Sequence, residues 1–218
     1  MRKLLLLCLV GVASFANADL LYSTGPYDPE LAFASDSVPD QANNQRLAEA
    51  FVLSANSTLS NVVWYGRSEG AFFPDLQNIE TFTVSVFADG GAIPGTPLFS
   101  STVNLSQTSP TILEVDSSGN NIYSFHFDFT GGLSLGQGTY WLSVGTQNFD
   151  PEGDGFYWQA TTNSISGNFA ADAGVQDDWS TSGFADLALE VNGAPVPEPA
   201  TLAALGVGAL ALLRRRRG

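Results

Sequence analysis

From residue 47 to residue 191 apolar side chains recur at every second position in short runs, and Gly, Pro, Asn and Asp separate the runs. Period two marks a strand with one face buried and one face wet. The pattern is clearest over 79–88, where Phe82, Val84 and Val86 alternate with Thr81, Thr83 and Ser85. Over 122–129 the aromatics Tyr123, Phe125, Phe127 and Phe129 fall on one face. They predict a thick core, since each ring buries about 150–250 Å². Further strands are expected at 50–54 and 59–65, a pair split by Ala55-Asn56-Ser57, and at 97–105, 111–115, 139–145, 155–161 and 186–191. Residues 19–45, with Pro26, Pro29 and Pro39, have the composition of a loop that contributes one edge strand at most. No run in the body has the 3.6-residue period of a helix. About nine strands without βα alternation predict an all-β fold, an antiparallel β-sandwich or jelly roll.

Both ends break this pattern. Arg2 and Lys3, the apolar run Leu4–Val12 and the small-x-small triplet Ala16-Asn17-Ala18 have the form of a secretory signal peptide over 1–18, cut by signal peptidase before Asp19. The run is too short to span a bilayer of about 30 Å permanently. At the other end, 196–218 reads VPEPATLAALGVGALALLRRRRG. A glutamate between prolines (Pro197, Glu198, Pro199) precedes the apolar run 200–213, a short hydrophobic helix, and then the basic stop Arg214, Arg215, Arg216 and Arg217. Arginines after an apolar run hold a tail on the cytoplasmic side of a membrane. The fourteen apolar residues reach about 21 Å as a helix, short of a core of about 30 Å. Such a span suits a transient stop in the inner membrane better than a lasting transmembrane helix. The expected organisation is therefore 1–18 signal peptide, 19–195 one β-sandwich domain closed by a short polar linker at Asn192–Pro195, and 196–218 sorting tail.

The tail resembles the PEP-CTERM sorting signals of Gram-negative bacteria, which join Val-Pro-Glu-Pro to a Leu/Ala/Gly-rich helix and terminal arginines. The resemblance implies recognition by an exosortase, which cuts near the motif, and delivery to the cell surface or extracellular matrix. The Phe-rich strand, the turn ADGGAIPGTPLFS, GTYWLSVG and a tryptophan ahead of DLALEV also look like the body of many PEP-CTERM exoproteins.

Charge sharpens the picture. Of the eight basic residues only Arg46 and Arg67 lie in the body, against all but one of the 22 acids. That field repels phosphate backbones, so no nucleic acid partner is expected. The one cysteine, Cys8, lies in the signal segment and leaves a mature chain without thiols. Disulfides, cysteine zinc sites and thiol catalysis are thereby excluded.

Candidate chemistry is sparse. The one histidine, His126, points away from the aromatic face of its strand, and no Gly-x-Ser-x-Gly accompanies it. Asp177 and Asp178 are adjacent, so they would face apart in a strand, and a catalytic carboxylate pair needs both to face the bond. No enzyme activity, catalytic residue or obligate cofactor is expected. Asp150, Glu152 and Asp154 place oxygens at alternate positions before Gly155, as in a calcium loop. Pro151 and Thr161 depart from the EF-hand form, so an acidic hairpin loop is the plainer expectation and weak Ca²⁺ binding the alternative. Trp64, Trp141, Trp158 and Trp179 could stack on sugar rings if a coplanar row were exposed, although strand tryptophans usually belong to the core. The sequence thus points to an exported, non-catalytic surface or matrix protein of structural or adhesive role, with carbohydrate binding to exopolysaccharide in a biofilm as the alternative.

Overall fold

The computed structural model of the chain describes residues 18–35, 45–69, 76, 79–147, 155–162, 167–173, 178–183 and 185–197. These form β1 (Asp19–Ser23), β2 (Tyr27–Ala34), β3 (Gln45–Leu53), β4 (Ser57–Glu69), β5 (Thr81–Asp89), β6 (Pro94–Asn104), β7 (Thr111–Val115), β8 (Asn121–Leu135), β9 (Gly138–Gln147), β10 (Gly155–Thr161), β11 (Phe169–Ala173), β12 (Trp179–Ser182) and β13 (Leu189–Pro195). A 3-10 turn follows β6, at Leu105–Thr108. There is no α-helix among the described residues, and none of their segments is a helix long and apolar enough to cross a membrane.

Two antiparallel sheets share one core. In the seven-stranded sheet β4 is central, flanked by β8 on one side and by β13 and β10 on the other; β1 pairs β13, β2 pairs β10 and β7 pairs β8. The second sheet runs β12-β11-β3-β9-β5-β6. Alternation decides what each contributes. Trp64, Phe125, Phe127 and Phe156 point inward from the first sheet and meet Phe51, Phe82, Val84 and Leu142 from the second. Phe82 sits at the centre, with ring centroids 5.0 Å from Phe125 and 5.1 Å from Phe156, in tilted and edge-on arrangements that suit the ring quadrupoles. The predicted aromatic face of 122–129 and the apolar face of 79–88 both lie here.

Several expectations need correction. The runs at 50–54 and 59–65 do not pair: β3 belongs to the six-stranded sheet and β4 to the seven-stranded one. The turn between them carries the chain across, because Ser57 Oγ donates to Ala55 O and Asn56 Oδ1 accepts from Gln137 N. Residues 19–45 supply two edge strands rather than one at most. Pro29 is tolerated in β2 because the register jumps there, from Gln159↔Ala32 to Thr161↔Tyr27, and a bulged edge asks for no amide hydrogen. The described residues hold thirteen strands, where about nine are expected from the pattern. β11 escaped the pattern since Ala and Asp have low strand preference, and β12 since it is only four residues long; Asp172 is held by its cross-strand partner Arg46. The segment 192–195 is no linker. Asn192, Gly193, Ala194 and Pro195 pair with Asn61, Leu59, Thr58 and Ser57 as the end of β13.

Candidate functional site

The tail leaves the domain where the chain enters it. β1 and β13 are antiparallel neighbours, and Asp19 lies opposite Gly193. Ladder bonding continues past β13, as Val196 N donates to Asn56 O at 2.7 Å. Pro197, the first proline of the Pro-Glu-Pro triplet, directly follows this hydrogen-bonded residue. Ala18 and Asp19 are exposed at the same end, so a protease has access to the expected cleavage point. Ala16, Glu198, Pro199, Arg214, Arg215, Arg216 and Arg217 lie outside the described residues, as do both apolar runs and the loop candidates Asp150, Glu152 and Asp154. Among the described residues no three His, Cys, Asp or Glu side chains are grouped to hold a metal.

Two interlocks position the last strand. Thr24, between β1 and β2, donates its hydroxyl to Leu187 O at 2.9 Å and accepts from Leu189 N at 2.9 Å. Glu49 projects between the sheets, in phase with Leu47 and Phe51, and accepts from Leu187 N at 2.7 Å. Burial pushes its carboxyl well above the usual range, hydrogen bonds from the backbone of Leu187 and Ala50 oppose that, and the neighbouring Asp186 adds to it. Tyr22 on β1 is raised to about 12 by burial and by Glu49 and Asp186.

The four tryptophans do not form an exposed row. Trp64 and Trp158 are 0% exposed and belong to the shared core, while Trp141 at 4% and Trp179 at 7% pack with Phe87, Ala48 and Ala170 on the far side of the six-stranded sheet. The more accessible member of each Trp/Tyr pair is the tyrosine. Tyr65 stacks on Tyr27 at 5.1 Å and donates to Glu190 Oε1. Burial, then the hydrogen bond to Glu190, raises the Tyr65 phenol.

Trp141 borders a pocket. An open depression of about 400 Å³ is lined by Trp141, Asp89, Ala92, Thr139, Asn168 and Thr181. Asp89 Oδ1 accepts from Trp141 Nε1 at 3.0 Å and from Ala92 N at 3.2 Å, which fixes the indole and the hairpin tip together. Asp89, Asn168 and Thr181 were not singled out from the sequence; the turn signal ADGG was the one available hint. His126 keeps to the outer face of β8, where its Nε2 meets Asp128 Oδ1 at 2.8 Å across two positions of the same strand.

Fold and site together define an all-β domain whose entry and exit strands are paired, with its last strand running straight into a Pro-Glu-Pro, apolar and arginine tail. Residues 195–217 match the PEP-CTERM protein-sorting motif, and that match supports a PEP-CTERM protein sorted through an exosortase system. No curated protein matches the chain.

Proposed function

We propose that this protein is a non-catalytic, β-sandwich structural or adhesive component of the cell surface or extracellular matrix, released there after exosortase acts on a tail held transiently in the inner membrane. The observation that carries the proposal is the match to the sorting motif at 195–217, which begins in the last residue of the paired strand β13. Signal peptidase and the exosortase are its processing partners in this scheme. Deleting 196–218 moves the protein from the envelope to the medium, measured by fractionation of the native cell; an unchanged distribution refutes the scheme. Intact mass of the envelope-associated form reports both cuts, with Asp19 expected as its first residue.

The second reading is recognition of a matrix saccharide at the Trp141 pocket, favoured by the indole fixed by Asp89 among hydroxyl and amide groups. Few polar groups converging on an apolar concave floor are the usual make-up of a ligand site. Trp141→Phe removes the Asp89 bond with little loss of volume and lowers affinity for exopolysaccharide from the same cell about tenfold, the size of about 1.4 kcal/mol, in titration calorimetry. Wild-type protein that releases no heat with that polysaccharide ends the reading.

A further inference from the structure

The depression beside Trp141 is made by small side chains on the outer side of the six-stranded sheet. Ala50 on β3 stands opposite Trp141 on β9, and Ala170 on β11 stands between Ala48 and Thr181. Alanines between an indole and a threonine leave a trough that longer side chains would fill. The hairpin tip between β5 and β6 forms one wall. Ile93 packs against the Trp141 cluster, and Ala92 is held at φ 69°, a left-handed conformation that a residue with a Cβ rarely keeps. Its amide donates to Asp89 Oδ1, which also takes the Trp141 indole hydrogen. Strained backbone fastened at a pocket wall is a mark of pre-organisation.

Asp89 is the charged residue in this lining. Both of these hydrogen bonds go to Oδ1, and among the described residues no donor meets Oδ2. The residue is exposed, so Oδ2 is open to a ligand. Neither body arginine offsets the charge. Arg46 stands about 13 Å from Ala50 along β3 and is paired with Asp172. Arg67 belongs to the other sheet and is paired with Asp116. The remaining charges of the body are acidic and add to the same field. A sugar hydroxyl can donate to Oδ2 and an ammonium can pair with it. A carboxylate or sulfate brought onto the indole would instead set like charges a few ångströms apart. Thr139 and Thr181 supply hydroxyls, which suit any sugar and set no charge preference.

We infer, resting on the saccharide reading of this pocket, that it selects sugar units by charge. Neutral and amine-bearing units are taken, anionic ones such as uronates are rejected, and Asp89 is the selecting residue.

The test uses the full chain in detergent and exopolysaccharide of the same cell, split on an anion exchanger. Three samples are titrated in a calorimeter at low salt: the unretained fraction, the acidic fraction, and the acidic fraction after its carboxyl groups are reduced to alcohols. The first and third are expected to bind, and the acidic fraction to bind about tenfold more weakly than its reduced form. Asp89→Asn keeps an oxygen for the indole and for Ala92 N while removing the charge, and is expected to close most of that gap. Asp128→Asn, an exposed acid on the outer face of β8, is expected to leave it. Equal binding of the acidic fraction and its reduced form overturns charge selection, and that comparison needs no variant. A gap that Asp89→Asn leaves unchanged, or that Asp128→Asn closes equally well, overturns the role of Asp89. Each of those results leaves the saccharide reading standing. No heat with any of the three samples ends that reading and charge selection together.

Discussion

Two buried residues show how closely the sheets are fitted. Gly66 lies on the inner face of β4, where an added Cβ would stand 2.2 Å from Phe156 Cε2 and 2.7 Å from Tyr157 O. Neither neighbour can yield, since the ring is locked in the core and the oxygen is backbone. Gly66→Ala is expected to cost about 3 kcal/mol, read from urea midpoints at an unchanged slope. Glu49 makes a prediction in pH. Burial raises its native carboxyl well above the ordinary glutamate range, so above that range the native state holds more protons than the unfolded one. Stability is then favoured at low pH and declines as pH rises from about 4.5 through the native value. Glu49→Gln keeps an oxygen for Leu187 N and removes the titrating charge. Melting midpoints should match wild type at pH 4 and exceed it at pH 8; a wild-type profile that climbs over that range in step with the variant contradicts the assignment. Asp116 acts in the opposite sense. Burial would raise it, but hydrogen bonds from the side chain and backbone of Asn120, the Arg67 charge and the Ser118 amide outweigh that and hold it low. Its contribution is present above its unfolded value and fades as pH falls.

Strand faces were legible in the residues and strand partners were not. The phase of Phe82, Val84 and Val86 indicated the buried side of β5, and that of Tyr123 through Phe129 the buried side of β8, because alternation is a local property of extended backbone. Nothing local says which strand lies alongside. β3 and β4 look like a hairpin in sequence and separate into two sheets in space. β1 and β2 look like loop because their bonding is supplied from distant strands. Thr24 is the clearest case: an unremarkable hydroxyl residue in sequence, it joins two edge strands to the approach of β13. Thr24→Val retains shape and strands the Leu189 amide without a partner. A cost of about 1–3 kcal/mol is expected, together with faster hydrogen exchange at Leu189. Exchange unchanged from wild type would show that another acceptor takes over.

For the molecule as a whole, the pairing of β1 with β13 brings the first described strand and the strand that leads into the sorting motif to one end. Among the described residues Val196 is the last given a ladder bond, so removing 197–218 should leave the melting midpoint within about 2 °C of wild type, the scale of a surface change in a domain of this size. A large fall would mean that the tail is part of the fold rather than an address attached to it. The residues alone determined that the body is β, that it carries no thiol chemistry once Cys8 is gone, and that a Pro-Glu-Pro, apolar and arginine tail marks it for sorting. These follow from period, composition and contiguous motif, which need no knowledge of neighbours. Only the tertiary structure decided that Trp64 and Trp158 are core, that Trp141 borders a pocket, and that 192–195 is strand rather than spacer. Those are outcomes of packing between residues far apart in the chain, where the same alternation fits several partners and registers. Contacts such as Asn61 with Asn192 and Glu49 with Leu187 select one of them.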